Sequence, residues 1–566
     1  MKQHKLRLQL ILVLSALFMV ACGEHTENVA SVKQAHAELL LPEQPDSAQI
    51  ASIGQVSRIW GFVKYHHPAF SSDEFSADAE YFKLMNRVLQ APDSMRNGIF
   101  LDWIDTLGPF ELRKDVKDAS LEVFNDFRWI ADTQIFGQPL VRKLLEVRQA
   151  DSRKNNYVKQ TPVNVSYLEP VYEDLPSEDV AYRLLGVAKF WNAIDSYSPN
   201  RNLTDRPWEE VLDDYIALAF DRSVGFSELY SRLVVELCDT HVNTWVIPIF
   251  GGRFVPLMCR FAEERLFVND TCSLVANDFQ IGDEILRIDS VRPIDRLSEM
   301  AAYSSHSNRA SLLRDGSYAT LLTEQDEVQV EYCRDGEIHT VIVPSVDSEK
   351  FIYRVYNHLY ASGESTFKEV ADGVGCIQIS SLTCDDEDEM EKFLSKYGKV
   401  IIDLRGYPAE YAVIHRLLPK YFFAESRTAL QTLLPQADRP GTYVREDSKT
   451  LATSDPAKLF KGQVVLLLDA CTQSMAEYFT MFLQTIPGVV TMGSQTAGAD
   501  GNVTRITLPY AWFNLTGLGV LYPDGTNAQR KGVKIDVVVE PSAESLLHGE
   551  DEQLHAAIDY LQKSNA

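Results

Sequence analysis

One stretch of the chain, residues 464–484 (VVLLLDACTQSMAEYFTMFLQ), decides the fold because it changes from a strand to a helix around a single serine. Residues 464–468 are an uninterrupted apolar run, which is typical of a strand buried on both faces. Apolar residues then recur at helical spacing and predict a helix that packs on the sheet. They are Met475, Phe479, Phe482 and Leu483. Ser474 stands at the start of this helix, beside unpaired N–H groups and the positive end of the dipole, which favours an oxyanion there. Ser474 is therefore either a nucleophile or only a helix cap.

Composition bounds the class of protein. The chain has 566 residues, of which 45% are hydrophobic and 10% aromatic, so we expect about three to five domains with large cores. The formal net charge of -26 argues against a nucleic-acid partner. The cysteines form no CxxC pair and no His/Cys cluster with zinc spacing, and the sequence suggests no metal and no organic cofactor.

The N-terminus is typical of an exported lipoprotein. Basic residues precede an apolar segment at 8–20, which is shorter than the roughly 20 residues that span a bilayer and predicts a signal peptide at 1–22. The segment ends in Met-Val-Ala-Cys, which resembles the bacterial lipoprotein cleavage box. This implies cleavage before Cys22, lipid attachment to Cys22 and anchoring to a membrane of the bacterial cell envelope, as a periplasmic or outer-membrane lipoprotein. The alternative is an ordinary secretory signal. Residues 23–48 are polar and predict a tether.

Two segments of the N-terminal half resemble each other. VSRIWGFVKYHHP at 56–68 and VAKFWNAIDSYSP at 187–199 align so that Trp60 matches Trp191. Apolar residues at helical spacing follow both, which indicates either two related helical modules or two amphipathic helices that are alike by chance.

The predicted domains follow from these patterns. Helical modules occupy 49–165 and 166–251, and the second carries the motif CDTHV. Short strands dominate 252–347, where Asp335-Gly336 predicts a tight hairpin and GDEILRID resembles a PDZ domain, a module that binds extended peptides at a sheet edge. Strand runs alternate with helices over 348–566 and predict a largely parallel sheet. The fold class is therefore multi-domain α/β.

The order of the motifs resembles the C-terminal processing (tail-specific) peptidases and the tricorn core, one family of serine peptidases. The motifs are CDTHV (238–242), GDEILRID (282–289), IIDLRG (401–406), CTQSMAEYF (471–479), GSQTAGADG (493–501) and the closing segment at 532–558. The resemblance implies that 348–566 is a catalytic domain with the fold shared by ClpP and the crotonases.

The same resemblance implies roles for single residues. Ser474 matches the nucleophile, and the N–H groups of Gly406 and Met475 match the oxyanion hole. His241 matches the general base of the tricorn branch, and Thr240 takes the place of a supporting hydroxyl.

Two departures from the family pattern concern catalysis. Ala499 and Asp500 stand where processing peptidases have their lysine, so a Ser–Lys dyad is not expected. Gln529 replaces the glutamate of the tricorn branch; a glutamine can orient a histidine but cannot offset imidazolium charge. Asp500, Asp524 and Glu477 are further candidates for orienting His241, although Glu477 also suits the first turn of its helix.

The sequence thus predicts a membrane-tethered serine endopeptidase that acts on proteins or peptides in the bacterial envelope, with substrates also reaching the PDZ-like domain. Two alternatives remain open. One is a catalytically impaired protein with a peptidase fold that binds peptides or protein C-termini. The other is acyl transfer on a non-peptide ester by the same residues.

Overall fold

The computed structural model describes residues 29–113, 121–152, 155–172, 175–176, 179–242, 247–272, 274–275, 278–360 and 365–563. The predicted signal peptide and Cys22 lie outside these residues. No helix in the described ranges is long and apolar enough to cross a membrane.

The helices, in chain order, are α1 Val29–Glu38, α2 Ser47–His66, α3 Ala77–Leu89, α4 Arg96–Thr106, α5 Thr133–Arg148, α6 Val180–Tyr197, α7 Val211–Phe220, α8 Phe226–Val235, α9 Ile247–Phe250, α10 Pro293–Met300, α11 Arg309–Ala319, α12 Ser348–Tyr360, α13 Glu387–Lys396, α14 Val413–Arg416, α15 Pro419–Phe422, α16 Met475–Leu483, α17 Ala543–Leu547 and α18 Glu552–Lys563.

The strands, in chain order, are β1 Leu121–Val123, β2 Val158–Gln160, β3 Val165–Tyr167, β4 Arg253–Phe254, β5 Met258–Ala262, β6 Arg265–Asp270, β7 Glu284–Ile288, β8 Leu322–Thr323, β9 Glu327–Arg334, β10 Glu337–Pro344, β11 Val346–Asp347, β12 Phe367–Ala371, β13 Val374–Gln378, β14 Lys399–Asp403, β15 Thr428–Pro435, β16 Thr442–Lys449, β17 Gln463–Leu468, β18 Val490–Gly493, β19 Val503–Leu508, β20 Ala511–Thr516, β21 Gly519–Leu521 and β22 Val537–Val538.

The chain divides into two compact units that cross the predicted domain boundaries. The first contains the described residues up to Leu233 together with Leu434–Arg445 and Val503–Leu518. The second contains Val234–Leu433, Glu446–Asn502 and the chain from Gly519 onward. The predicted PDZ-like segment therefore belongs to the same unit as most of the predicted catalytic domain. Two segments of that domain, Leu434–Arg445 and Val503–Leu518, belong instead to the first unit, which we call the helical unit.

The helical unit contains both members of the predicted repeat, in α2 and α6. Trp60 and Trp191 are buried. The indole N–H of Trp60 donates to the carbonyl oxygen of Ala77 at 2.7 Å, and that of Trp191 donates to the carbonyl oxygen of Trp208 at 2.9 Å, in each case 17 residues further along the chain. The same contact therefore recurs at the two aligned tryptophans, and the relation between the two modules stays a prediction.

Part of the predicted tether is a packed helix. Residues 29–38 form α1, in which Val32 and Ala35 are buried. Its His36 Nε2 lies 2.8 Å from Asp179 Oδ2. The prediction of a tether over 23–48 is therefore wrong for this part, because two small apolar residues at helical spacing are too weak a pattern to recognise from sequence.

A six-stranded sheet forms the core of the second unit, in the order β12-β13-β14-β17-β18-β22. All its strands are parallel except β12, which is antiparallel at one edge. Side chains of β17 alternate between two apolar cores: Val464, Leu466 and Leu468 pack with α16, whereas Val465 and Leu467 pack with α18. Burial on both faces explains the uninterrupted apolar run, and the predicted mixed α/β class is confirmed.

A second, antiparallel sheet of the same unit has the order β10-β9-β7-β6-β5 and packs with α10 and α11. Its β9–β10 hairpin turns at Asp335 and Gly336, both at positive φ, as the tight turn predicted from sequence requires. The PDZ-like and ClpP/crotonase-like assignments stay predictions.

Candidate active site

Ser474 lies in a strained turn between β17 and α16. The strand ends at Leu468 and the helix begins at Met475. Ser474 has φ 55° and ψ -118°, a conformation that residues other than glycine rarely adopt and that costs about 1–3 kcal/mol. A serine that only caps a helix has negative φ in the extended region. Capping alone therefore does not account for this backbone, whereas strain of this kind is typical of a serine nucleophile at a strand-to-helix turn.

The carboxylate of Glu477 fixes the loop after β18 against the start of α16. It is fully buried. Its donors are Thr496 Oγ1 (2.6 Å), Gly498 N (2.9 Å), Ala499 N (3.0 Å) and Ser474 N (3.3 Å). Burial raises the pKa of Glu477, and these hydrogen bonds oppose the rise. Of the two roles that the sequence left open for Glu477, the structure favours the one at the first helical turn.

Asp500 and Asp524 have different surroundings. Asp500 is buried, and its Oδ1 accepts the Gly501 N–H at 2.6 Å, while Oδ2 has no hydrogen-bond partner among the described residues. Burial and the neighbouring Glu477 raise the pKa of Asp500 well above its usual range. Asp524 instead pairs with Lys534 Nζ at 2.9 Å and is more than half exposed. Asp524 is therefore engaged at the surface.

His241 sits in a buried turn that follows α8. Its side chain is 7% exposed. Its backbone N–H donates to Asp239 Oδ1 at 3.0 Å, and the ring Nδ1 lies 3.8 Å from the same oxygen. Burial lowers the pKa of His241, Asp239 opposes this, and the Arg314 charge lowers it further. The imidazole is therefore neutral at pH 7 and has a carboxylate beside Nδ1.

Thr240 has a structural role in this turn. Its Oγ1 donates to Ser311 Oγ at 3.0 Å and accepts the Ser307 N–H at 2.8 Å, while its own N–H donates to Ser307 Oγ. The Asp239 N–H likewise donates to Ser305 Oγ. The predicted supporting hydroxyl thus connects the His241 turn to the start of α11, within the predicted PDZ-like segment.

Gln529 contacts Asp239. The Gln529 side chain is buried, and its Nε2 donates to Asp239 Oδ1 at 3.2 Å across 290 residues of sequence. Gln529 was predicted to orient His241, whereas its amide contacts Asp239. Asp239, which was not predicted, stands two positions before the histidine, inside the motif CDTHV.

Arg314 is hydrogen-bonded to the turn that carries the candidate nucleophile. Its guanidinium donates to Ala470 O and to Gln473 Oε1, both at 2.8 Å, and forms two hydrogen bonds with Asp315. Ala470 and Gln473 belong to the turn that precedes Ser474. Its charge is also among the causes of the lowered pKa of His241. Arg314 is thus hydrogen-bonded to the turn that precedes Ser474.

A cavity of about 590 Å³ opens at the carboxyl ends of the parallel strands. Gly406, from the segment after β14, lines it, as do residues 469–471 after β17. The opposite wall includes Arg260 of β5 and Arg314 of α11. Ligands of open α/β sheets bind at this end of the strands. Met475, the other predicted oxyanion donor, is the first residue of α16 and, like Ser474 and His241, is not among the residues that line this cavity.

Comparison with known proteins identifies the segment that carries Ser474. Residues 373–539 match the model of peptidase family S41. No curated protein matches the sequence.

Solved structures show the fold. Mature CPAF complexed with lactacystin is 12% identical, with a TM-score of 0.52 over 68% of this chain and 97% of that chain. A mutant of CPAF is also 12% identical, with a TM-score of 0.54 over 68% of this chain and 96% of that chain. The photosystem II D1 C-terminal processing protease is 14% identical, with a TM-score of 0.38 over 67% of this chain and 99% of that chain.

The matched segment includes Ser474, Gly406 and Gln529, whereas Asp239 and His241 precede it. The match over residues 373–539 agrees with the family predicted from the motif order: this segment is similar to peptidase family S41.

Proposed function

We propose that the protein is a serine endopeptidase in which Ser474 attacks the peptide carbonyl. The observation that carries this proposal is the positive φ of Ser474 at the first turn of α16, inside the segment that matches peptidase family S41. The helix N-terminus supplies N–H groups and a positive dipole end where negative charge develops. The N–H groups of Met475 and Gly406 are the proposed donors to the tetrahedral oxyanion.

His241 is the proposed general base. Its lowered pKa leaves the imidazole neutral at pH 7, which is the form that can accept the proton of Ser474 and return it to the leaving amine. Asp239, 3.8 Å from Nδ1, is the proposed acid that orients the ring and stabilises the imidazolium. The Gln529 amide then positions Asp239 instead of contacting the base.

The cavity beside Gly406 is the proposed substrate cleft. Two of its basic side chains form ion pairs, Arg260 with Asp469 and Arg405 with Asp403 and Asp551. These paired charges are compatible with the neutral backbone of a peptide. β5, the edge strand of the antiparallel sheet, contributes to its lining and is the proposed site where an extended substrate adds to the PDZ-like domain, which requires the substrate to replace the hydrogen bond from the Phe261 N–H to Ser317 Oγ.

Tethering to the bacterial envelope is proposed from the sequence alone. The apolar segment that ends at Cys22 supports cleavage and lipid attachment there. Such an anchor would leave both compact units at the membrane surface, where envelope proteins are the available substrates.

The deciding experiment compares cleavage of an unfolded protein by the wild type and by Ser474→Ala. We expect cleavage, and labelling by an activity-based serine probe, only for the wild type. Absence of both from a folded wild type would favour the alternative of a peptide-binding protein without turnover. Cleavage of ester probes but of no peptide would favour acyl transfer on a non-peptide ester.

A further inference from the structure

An aromatic cluster lies next to the proposed nucleophile. Tyr478 is one helical turn beyond Ser474, and its backbone N–H donates to the Ser474 carbonyl oxygen at 2.9 Å. Its ring centroid is 5.9 Å from that of Tyr411 and 6.1 Å from that of His415. The rings of Tyr411 and His415 are 5.0 Å apart. We call Tyr411, His415 and Tyr478 the aromatic shelf.

The shelf is preorganised. Tyr411 Oη lies 3.0 Å from His415 Nε2, and Tyr478 Oη lies 3.5 Å from both of these atoms. Behind the shelf, the buried Phe482 ring is 4.7 Å from that of Tyr478 and 5.5 Å from that of His415. The polar tips hold one another and the core supports the rings, so the shelf needs little rearrangement to receive a ligand.

The shelf is also open on one side. Tyr411 is 54% exposed. Tyrosine side chains are on average more buried than this. The residues of the shelf follow the proposed oxyanion donors along the chain. Tyr411 and His415 follow Gly406 along the chain, and Tyr478 follows Met475 in α16.

Distance selects what the shelf can contact. One helical turn advances about 5.4 Å along the axis. An extended peptide advances about 3.3 Å per residue. The separation of Tyr478 from Ser474 along the helix is therefore comparable with one or two residues of an extended peptide.

From this arrangement we infer that the aromatic shelf is a specificity site that binds a large apolar or aromatic side chain of the substrate beside the cleaved bond. The inference rests on the proposed peptidase function. Burial lowers the pKa of His415, so the imidazole of the shelf carries no charge at pH 7. An uncharged surface of ring faces is favourable for apolar and aromatic partners and offers no counter-ion to an acidic side chain.

The test uses quenched peptides that differ only in one residue flanking the cleaved bond: Phe, Leu, Ala or Lys, placed on each side in turn. Wild type should cleave the Phe and Leu peptides with kcat/KM about 10- to 100-fold above the Ala peptide on one side of the bond. Tyr411→Ala should remove this preference and leave the Ala peptide within about twofold. Tyr411→Phe keeps the ring and should keep the preference.

Tyr560 provides the matched control, since it is a partly exposed tyrosine on α18, outside the shelf. Tyr560→Ala should behave as wild type. A preference that survives Tyr411→Ala, or a preference for Lys over Phe, overturns the inference while leaving the peptidase function in place.

Failure of the peptidase function itself has a different result. In that case the wild type cleaves no peptide and takes up no serine probe. The shelf is then tested by binding of the Phe and Ala peptides to Ser474→Ala protein, with and without Tyr411→Ala. Tighter binding of the Phe peptide that depends on Tyr411 supports the shelf, and equal binding refutes it.

Discussion

Replacing Asp239 by Asn tests the proposed acid directly. The amide is nearly isosteric, and its oxygen can still accept the His241 N–H and the Gln529 amide, which lie at 3.0 and 3.2 Å. The fold of the turn should therefore survive, and only the negative charge beside His241 Nδ1 is lost.

The size of the effect follows from the distance between the charges. At 3.8 Å and an effective dielectric constant of about 20, opposite unit charges attract by about 4 kcal/mol. This attraction exists only while His241 is protonated, which is the state that forms as Ser474 attacks. Each 1.4 kcal/mol, approximately, is a factor of ten in rate, so we expect Asp239→Asn to lower kcat by roughly 10²- to 10³-fold.

The assay is the pH dependence of kcat/KM on a peptide substrate. Asp239 opposes the lowering of the His241 pKa, so its removal should lower that pKa further and shift the acid limb of the profile to lower pH. Asp239→Glu keeps the negative charge, so it should retain part of the rate. The acid limb of its pH profile should stay near the wild-type position. A merely structural role for Asp239 would reduce the fraction of folded protein without moving the limb.

Gln529→Glu separates this mechanism from one in which position 529 should carry the acid. It would place a second carboxylate about 3 Å from Asp239, so we expect a slower enzyme whose profile has an additional titration. The proposal that Asp239 is the acid that orients His241 is refuted by two results together. Asp239→Asn would keep the wild-type rate and acid limb, and Gln529→Glu would increase the rate.

Three further substitutions have expected outcomes. Ser474→Gly should abolish cleavage and raise the free energy of unfolding by about 1 kcal/mol, because glycine adopts positive φ without strain. Chemical denaturation measures this free energy, and a variant less stable than wild type would contradict the conclusion that the Ser474 backbone is strained. The raised pKa of Asp500 means that the folded chain keeps a proton that the unfolded chain releases, so stability is full below the ordinary value of 3.8 and is lost as pH rises toward the folded pKa. Asp500→Asn should therefore be more stable than wild type at pH 7 and show a weaker dependence of Tm on pH. If the dependence of Tm on pH is unchanged in Asp500→Asn, the titration of Asp500 does not cause it. Cys22→Ser, expressed in the native host, should move the protein out of the membrane fraction; a wild type that is itself soluble would contradict lipid attachment.

Local patterns in the sequence predicted the parts of the site that are built locally. The β17–Ser474–α16 junction depends on an apolar run followed by helical spacing, and the β9–β10 turn depends on Asp335-Gly336. Both patterns are short, and in each the physical cause lies in the residues themselves: burial of a strand on both faces, and positive φ at a tight turn.

Contacts between distant residues were not accessible from the same patterns. Nothing local in Leu434–Arg445 or Val503–Leu518 indicates that these residues join the helical unit. Thr240 was given a role beside the base, but its hydroxyl bonds Ser307 and Ser311, about 70 residues further on. A side chain of this kind has several possible partners, and only the tertiary fold selects one.

Gln529 shows how such a contact changes a functional conclusion. Considered alone, a glutamine in place of the glutamate of the tricorn branch indicates an impaired catalyst. In the structure, its amide donates to a carboxylate that is 5% exposed and that itself lies beside the base. A glutamate at the same position would bring two buried negative charges together, and one of them would have to take up a proton. Gln529 and Asp239 are therefore complementary, so the substitution at 529 is not an argument against turnover while Asp239 keeps its charge.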